Sequence, residues 1–206
     1  MFSMCAAASL LLLLPSVVAT GMPTCGDLKA LYKGEQCCGN PSKQVTTMLG
    51  CNSQVTKEMV VAAQKAWGDG IVEIAAAKTN GQNFTQVAFD HITTLYGYGL
   101  TPVLFKPTLA AEIQFRSTFE GALSYFVATN NAAPEDKGFA IKGWTAVRFV
   151  NVDVIISGST AMAMGNYFFT DPNGTEVKVE YSFGYFLDSQ GNLRINLHHS
   201  SKPYKA

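Results

Sequence analysis

From residue 143 onward, apolar and polar positions alternate with a period of two. Val177, Val179, Tyr181, Phe183, Tyr185 and Leu187 share one face of the stretch 175–187, while Lys178, Glu180 and Ser182 share the other. That is the pattern of a strand with one buried face. Stretches at 144–157, 160–170 and 193–201 predict three more strands, with Asp171-Pro172-Asn173-Gly174 and Ser189-Gln190-Gly191-Asn192 as turns. Before residue 143 the period is nearer 3.6. Val60, Val61, Ala63, Ala66 and Trp67 form an apolar stripe behind Thr56 as N-cap. Gly68-Asp69-Gly70 predicts an interruption, after which Ile71 to Lys78 forms a separate helix. Phe84 to Tyr96 and Ser117 to Ala128 predict two further helices, separated by a short proline-bounded strand at 101–107.

Helices followed by an antiparallel meander predict an α+β fold. The expected architecture is a curved antiparallel sheet wrapped over N-terminal helices, with a cavity between them. This is the cone-shaped arrangement of SnoaL-like and nuclear-transport-factor-like folds.

The expected domain occupies 56–206. Ahead of it, Cys5 to Leu14 is an unbroken apolar run followed by Pro15 and small residues. It is too short to span a bilayer and has the length of a signal-peptide core, so 1–21 is expected to be a cleaved export signal. Residues 22–55 form a cysteine-rich extension. Its Cys25, Cys37, Cys38 and Cys51 predict two disulfides, with Cys37 and Cys38 paired to Cys25 and Cys51 in either order. The expected destination is secretion, a periplasm or, in an alga, the endomembrane and plastid route.

Lysine plus arginine and aspartate plus glutamate balance at 15 each. A neutral chain has no electrostatic basis for holding nucleic acid, and no segment after the leader is long enough for stable membrane insertion.

The last strand places Leu193, Ile195, Leu197, His199 and Ser201 on one face, against Arg194, Asn196, His198 and Ser200 on the other. If the hairpin closes through Ser189-Gln190-Gly191, Leu187 faces Leu193 and Tyr181 lies opposite His199. The apolar face then ends in a histidine, a serine and a tyrosine, as a pocket wall would. Because adjacent strand residues point to opposite faces, His198 and His199 are poorly placed to share a metal. The chain carries no H-E-x-x-H, P-loop or G-x-S-x-G motif. Asp153, with Val147, Phe149 and Ile155 as same-face neighbours, is the candidate base for an isomerase or cyclase reading.

Several segments in order carry a resemblance: Val103-Leu104-Phe105-Lys106-Pro107-Thr108, Phe115 to Val127, Asp136-Lys137-Gly138-Phe139-Ala140, Gly165-Asn166-Tyr167-Phe168-Phe169 and Leu197-His198-His199-Ser200-Ser201-Lys202-Pro203-Tyr204. Together they resemble the iota-class carbonic anhydrases over 57–206. The resemblance implies a fold like the calcium/calmodulin-dependent kinase association domain, assembled as a homodimer or larger homo-oligomer. It also implies reversible hydration of carbon dioxide to bicarbonate. It implies no cofactor, with manganese and zinc left open. The site it implies combines threonine, tyrosine, histidine and serine in an apolar cavity. Here these are Thr108, Tyr125 and a pair within 198–201. Strand alternation favours His199 with Ser201; a β-bulge would select His198 with Ser200. Histidine is the expected acceptor of water's proton, and the hydroxyls are expected to bind bicarbonate. Arg116 is expected in a surface salt bridge. The competing readings are the isomerase or cyclase and a non-catalytic association or ligand-binding module.

Overall fold

The computed structural model of the protein describes residues 54–205. The leader, all five cysteines and the proposed disulfides therefore lie outside the described residues.

The elements run α1 (Lys57–Thr79), α2 (Phe84–Leu95), β1 (Leu104–Lys106), α3 (Phe119–Val127), β2 (Ala146–Ser157), β3 (Thr160–Thr170), β4 (Glu176–Leu187) and β5 (Leu193–Ser201). The strands form one sheet in the order β1-β5-β4-β3-β2. Neighbours are antiparallel except β1, which runs parallel to β5. This is the expected α+β architecture, a meander packed against helices.

Each helix starts on a side-chain cap. Thr56, Asn83 and Thr118 accept from the backbone N–H of Met59, Gln86 and Gly121, satisfying amides that no helical carbonyl reaches. The break expected at Gly68-Asp69-Gly70 does not occur, and α1 continues for 23 residues. Both glycines serve close packing instead. A Cβ on Gly68 would sit 3.1 Å from Val147 Cβ, and one on Gly70 only 2.1 Å from His91 Nδ1. Tertiary contact outweighs the modest helix-propensity cost of glycine here.

Trp67, 1% exposed, is central to the core. The rings of Phe126, Phe149, Tyr167, Phe169 and Phe183 surround it with centroids 5.6–6.4 Å away. Val55 also joins the core and donates its N–H to Gly158 O at 2.9 Å.

Two bulges reset which residues face that core, and each lies opposite a glycine. In β2 the register shifts between Asn151 and Asp153, next to Gly165. A Cβ on Gly165 would lie 2.1 Å from Val150 O. The inserted Val152 reverses the alternation, so Val147 and Phe149 turn inward but Asp153 and Ile155 turn out. Asp153 pairs with Lys57 at 3.1 Å, its side chain 74% exposed. The expected shared face is thus corrected: Asp153 is a solvated carboxylate and not a cavity base.

In β5 the hairpin begins as expected, with Leu187 opposite Leu193. The register then shifts. Tyr185 faces Ile195 and Gly184 faces Leu197, leaving Asn196 extra. A Cβ on Gly184 would meet Leu197 Cβ at 2.8 Å and Asn196 Oδ1 at 3.0 Å. Beyond this bulge Tyr181 lies opposite Ser200, and His199 opposite Ser182. The expected inward pair is therefore corrected. His198 and Ser200 are each 2% exposed, while His199 is exposed and Ser201 donates to Glu180 Oε2 at 2.8 Å on the other side.

Candidate active site

The bulge places His198 in an aromatic box. Parallel pairing sets Phe105 of β1 beside it, stacked at 4.5 Å between centroids with 13° between planes. Phe183 meets the imidazole edge-on at 4.2 Å and Trp67 at 5.5 Å. Burial among these rings holds His198 well below the usual imidazole range, with smaller contributions from His199 and His91. The ring is accordingly neutral at ordinary pH.

Its nitrogens meet two phenols. Tyr96 Oη lies 2.8 Å from Nδ1, and Tyr167 Oη lies 3.4 Å from Nε2. The Trp67 indole donates to Tyr96 Oη at 3.0 Å.

Two hydroxyls complete the cluster. Thr108, just past β1 and half-buried, donates to Ser200 Oγ at 2.9 Å. Tyr125 of α3 is buried, stacked on Phe139 at 5.6 Å and edge-on to Phe105 at 5.8 Å. Burial raises the Tyr125 phenol far above its ordinary range, with Tyr167 adding to the effect and the Leu109 amide opposing it. Burial likewise raises Tyr167, opposed by the Ser200 and Thr108 hydroxyls. Every phenol here stays protonated and the imidazole stays uncharged.

The cluster thus offers hydroxyl donors and an imidazole inside an aromatic wall, without formal charge. Arg116 does not enter it. It is buried, not on the surface as expected, and its guanidinium is held by Asp136 at 2.7 Å and Glu135 at 3.6 Å. Among the described residues, no three histidine, cysteine, aspartate or glutamate side chains converge to hold a metal ion.

The fold unites Thr108, Tyr125, His198 and Ser200 and separates them from His199 and Ser201. The latter two line an open hollow of about 350 Å³ on the outer sheet face, with Val152, Met164 and Glu180. Sequence reasoning missed Tyr96, Trp67 and Tyr167 as neighbours of the imidazole. Tyr167 was accessible: it shares the inward face of β3 with Ala161, Ala163 and Phe169. Gly184 within an otherwise regular β4 was the available sign of a bulge.

Fold and cluster together define an α+β domain of helices on a mostly antiparallel sheet, with hydroxyls and an imidazole gathered in an aromatic interior. Residues 58–202 match the family model described as metal-independent carbonic anhydrase. A metal-independent carbonic anhydrase from Nostoc sp. is 43% identical over 160 residues, covering 75% of this chain and 77% of that protein. The crystal structure of a cyanobacterial iota-carbonic anhydrase complexed with bicarbonate superposes with a TM-score of 0.73 at 42% identity, covering 75% of this chain and 96% of that one. The chain belongs to the metal-independent carbonic anhydrases. It is an enzyme of the reversible hydration of carbon dioxide, in a family that works without a metal cofactor.

Proposed function

We propose that Thr108, Tyr125, His198 and Ser200 bind carbon dioxide and bicarbonate, with Tyr167 as a fifth member of the site. The observation that carries this is their convergence from separate elements, marked by the 2.9 Å Thr108–Ser200 bond. The bicarbonate complex of the cyanobacterial relative supports bicarbonate as the ligand.

Carbon dioxide is small and uncharged, so an apolar site costs it little desolvation. Water held by the Ser200 and Thr108 hydroxyls, which both donate and accept, attacks the carbon. The water oxygen bonds to carbon as one C=O π pair moves onto oxygen. With the pair reoriented so that Ser200 donates to Thr108, a water proton passes to Ser200, the Ser200 proton to Thr108 and the Thr108 proton from its half-buried hydroxyl to solvent, and bicarbonate remains. Donors around the new oxyanion stabilise its charge.

Chelator-treated full-length protein is expected to retain carbon dioxide hydration, and Tyr125→Phe, which deletes one hydrogen-bond donor, to slow it roughly tenfold. Activity lost on chelation and restored by manganese or zinc would overturn the metal-free reaction.

We also propose that the outer sheet face joins two copies of the chain. Val152, Ile155, Met162 and Met164 are 80%, 60%, 55% and 60% exposed there, a cluster unusual for an unpartnered surface. Light scattering on the eluting protein should give a dimer mass, and Met164→Glu a monomer. A monomeric wild type would refute this interface.

A further inference from the structure

His198 is neutral, so one proton must be assigned to one of two ring nitrogens. The neighbours decide which. The Trp67 indole has a hydrogen to give and no lone pair to offer, and its hydrogen bond ends on Tyr96 Oη at 3.0 Å. Tyr96 Oη in turn lies 2.8 Å from His198 Nδ1. Among the described residues, Tyr96 Oη has no other side-chain or backbone partner.

The phenol oxygen therefore already accepts from Trp67, and its own proton has one acceptor in reach, Nδ1. In the opposite tautomer, Trp67 Nε1–H and His198 Nδ1–H would both point at that oxygen. The phenol proton would then be stranded in a side chain only 2% exposed, a costly arrangement.

We propose that Trp67 and Tyr96 fix His198 with its proton on Nε2, making the ring edge that faces Tyr167 a hydrogen-bond donor. This rests on the reading of the cluster as the reaction site. Nε2–H approaches Tyr167 Oη at 3.4 Å, a long bond that a closer substrate oxygen could replace. His198 then supports the oxygen that gains charge as water adds to carbon dioxide, while the proton leaves through the hydroxyl pair. Tyr96 and Trp67 are positioning residues, since they act through the imidazole.

The direct test is nitrogen-15 NMR of histidine-labelled full-length protein, with His198 assigned by difference from His91→Phe and His199→Ala. The expected wild-type signature is a neutral ring with bare Nδ1 and protonated Nε2. Tyr96→Phe should move the His198 Nδ1 resonance toward that of a nitrogen accepting no hydrogen bond and lower kcat about tenfold with KM little changed. Nδ1–H in the wild type would overturn the proposal, as would a Tyr96→Phe protein with an unaltered Nδ1 resonance and kcat. The wild-type spectrum needs neither a folded variant nor activity. An inactive protein with the expected spectrum would therefore fail the reaction-site reading alone.

Discussion

Replacing Ser200 with alanine should slow carbon dioxide hydration by about a hundredfold, the lower end of the range for losing a group that transfers the reacting proton. Ser201→Ala should stay within about twofold of wild type, because Ser201 Oγ bonds Glu180 on the outer face. The same contrast is expected one residue earlier. His198→Gln keeps a polar group but loses the stack on Phe105, and should lose comparable activity. His199→Ala, outside the aromatic box, should remain active. Stopped-flow hydration assays on folded variants decide the matter. Loss of rate in the 199 and 201 variants, with 198 and 200 spared, would place the chemistry on the wrong side of the sheet for this account.

A second large effect concerns acid. His91 is buried and held down at about 4 by desolvation, and its Nε2 has no partner among the described residues. His198 is also held low by burial. Both histidines regain an ordinary value near 6.5 when the chain unfolds. The unfolded state thus binds more protons below that value, and stability falls as pH drops. The contribution is fully present above about pH 6.5. For His91 it is lost progressively down to about pH 4, and for His198 the loss extends lower. His91 alone should cost about 1.5 kcal/mol between pH 6.5 and 5, a sizeable share of a typical folding free energy, and His198 adds to the loss in the same direction. Denaturant melts across this interval would measure it. His91→Phe, which keeps a ring against Trp67 and Phe126, should make the slope shallower. A flat profile, or a slope unaffected by His91→Phe, would contradict this assignment.

The strands were legible because their signal is local. Alternation and turn residues placed all four long strands and the Leu187–Leu193 pairing. Long-range contacts were less visible. Gly68 and Gly70 resemble a helix break in sequence, yet they admit Val147 and His91 from elsewhere in the fold. The candidate site divides in the same way. Thr108 and Tyr125 came through resemblance to a family, whereas the choice between the two histidine–serine pairs turned on one extra residue at Asn196. Pure alternation extends a strand without that insertion, and so assigned the wrong face. Tyr96 stands 102 residues from His198 and Trp67 stands 29 from Tyr96. No window along the chain brings them together. The role expected for histidine differs for the same reason: a lone imidazole suggests a proton acceptor, and its bonding partners favour a donor.

The rings around His198 have a consequence for how substrate arrives. An uncharged gas feels no pull from a protein's electric field, so steering cannot raise its encounter rate. Partition can. Phe105, Phe183 and Trp67 form a small patch of hydrocarbon-like solvent around His198, beside the hydroxyls proposed to react, where a nonpolar molecule dissolves more readily than in water and its ionic product does so less readily. The same walls that keep the imidazole uncharged thus enrich one side of the reaction and expel the other.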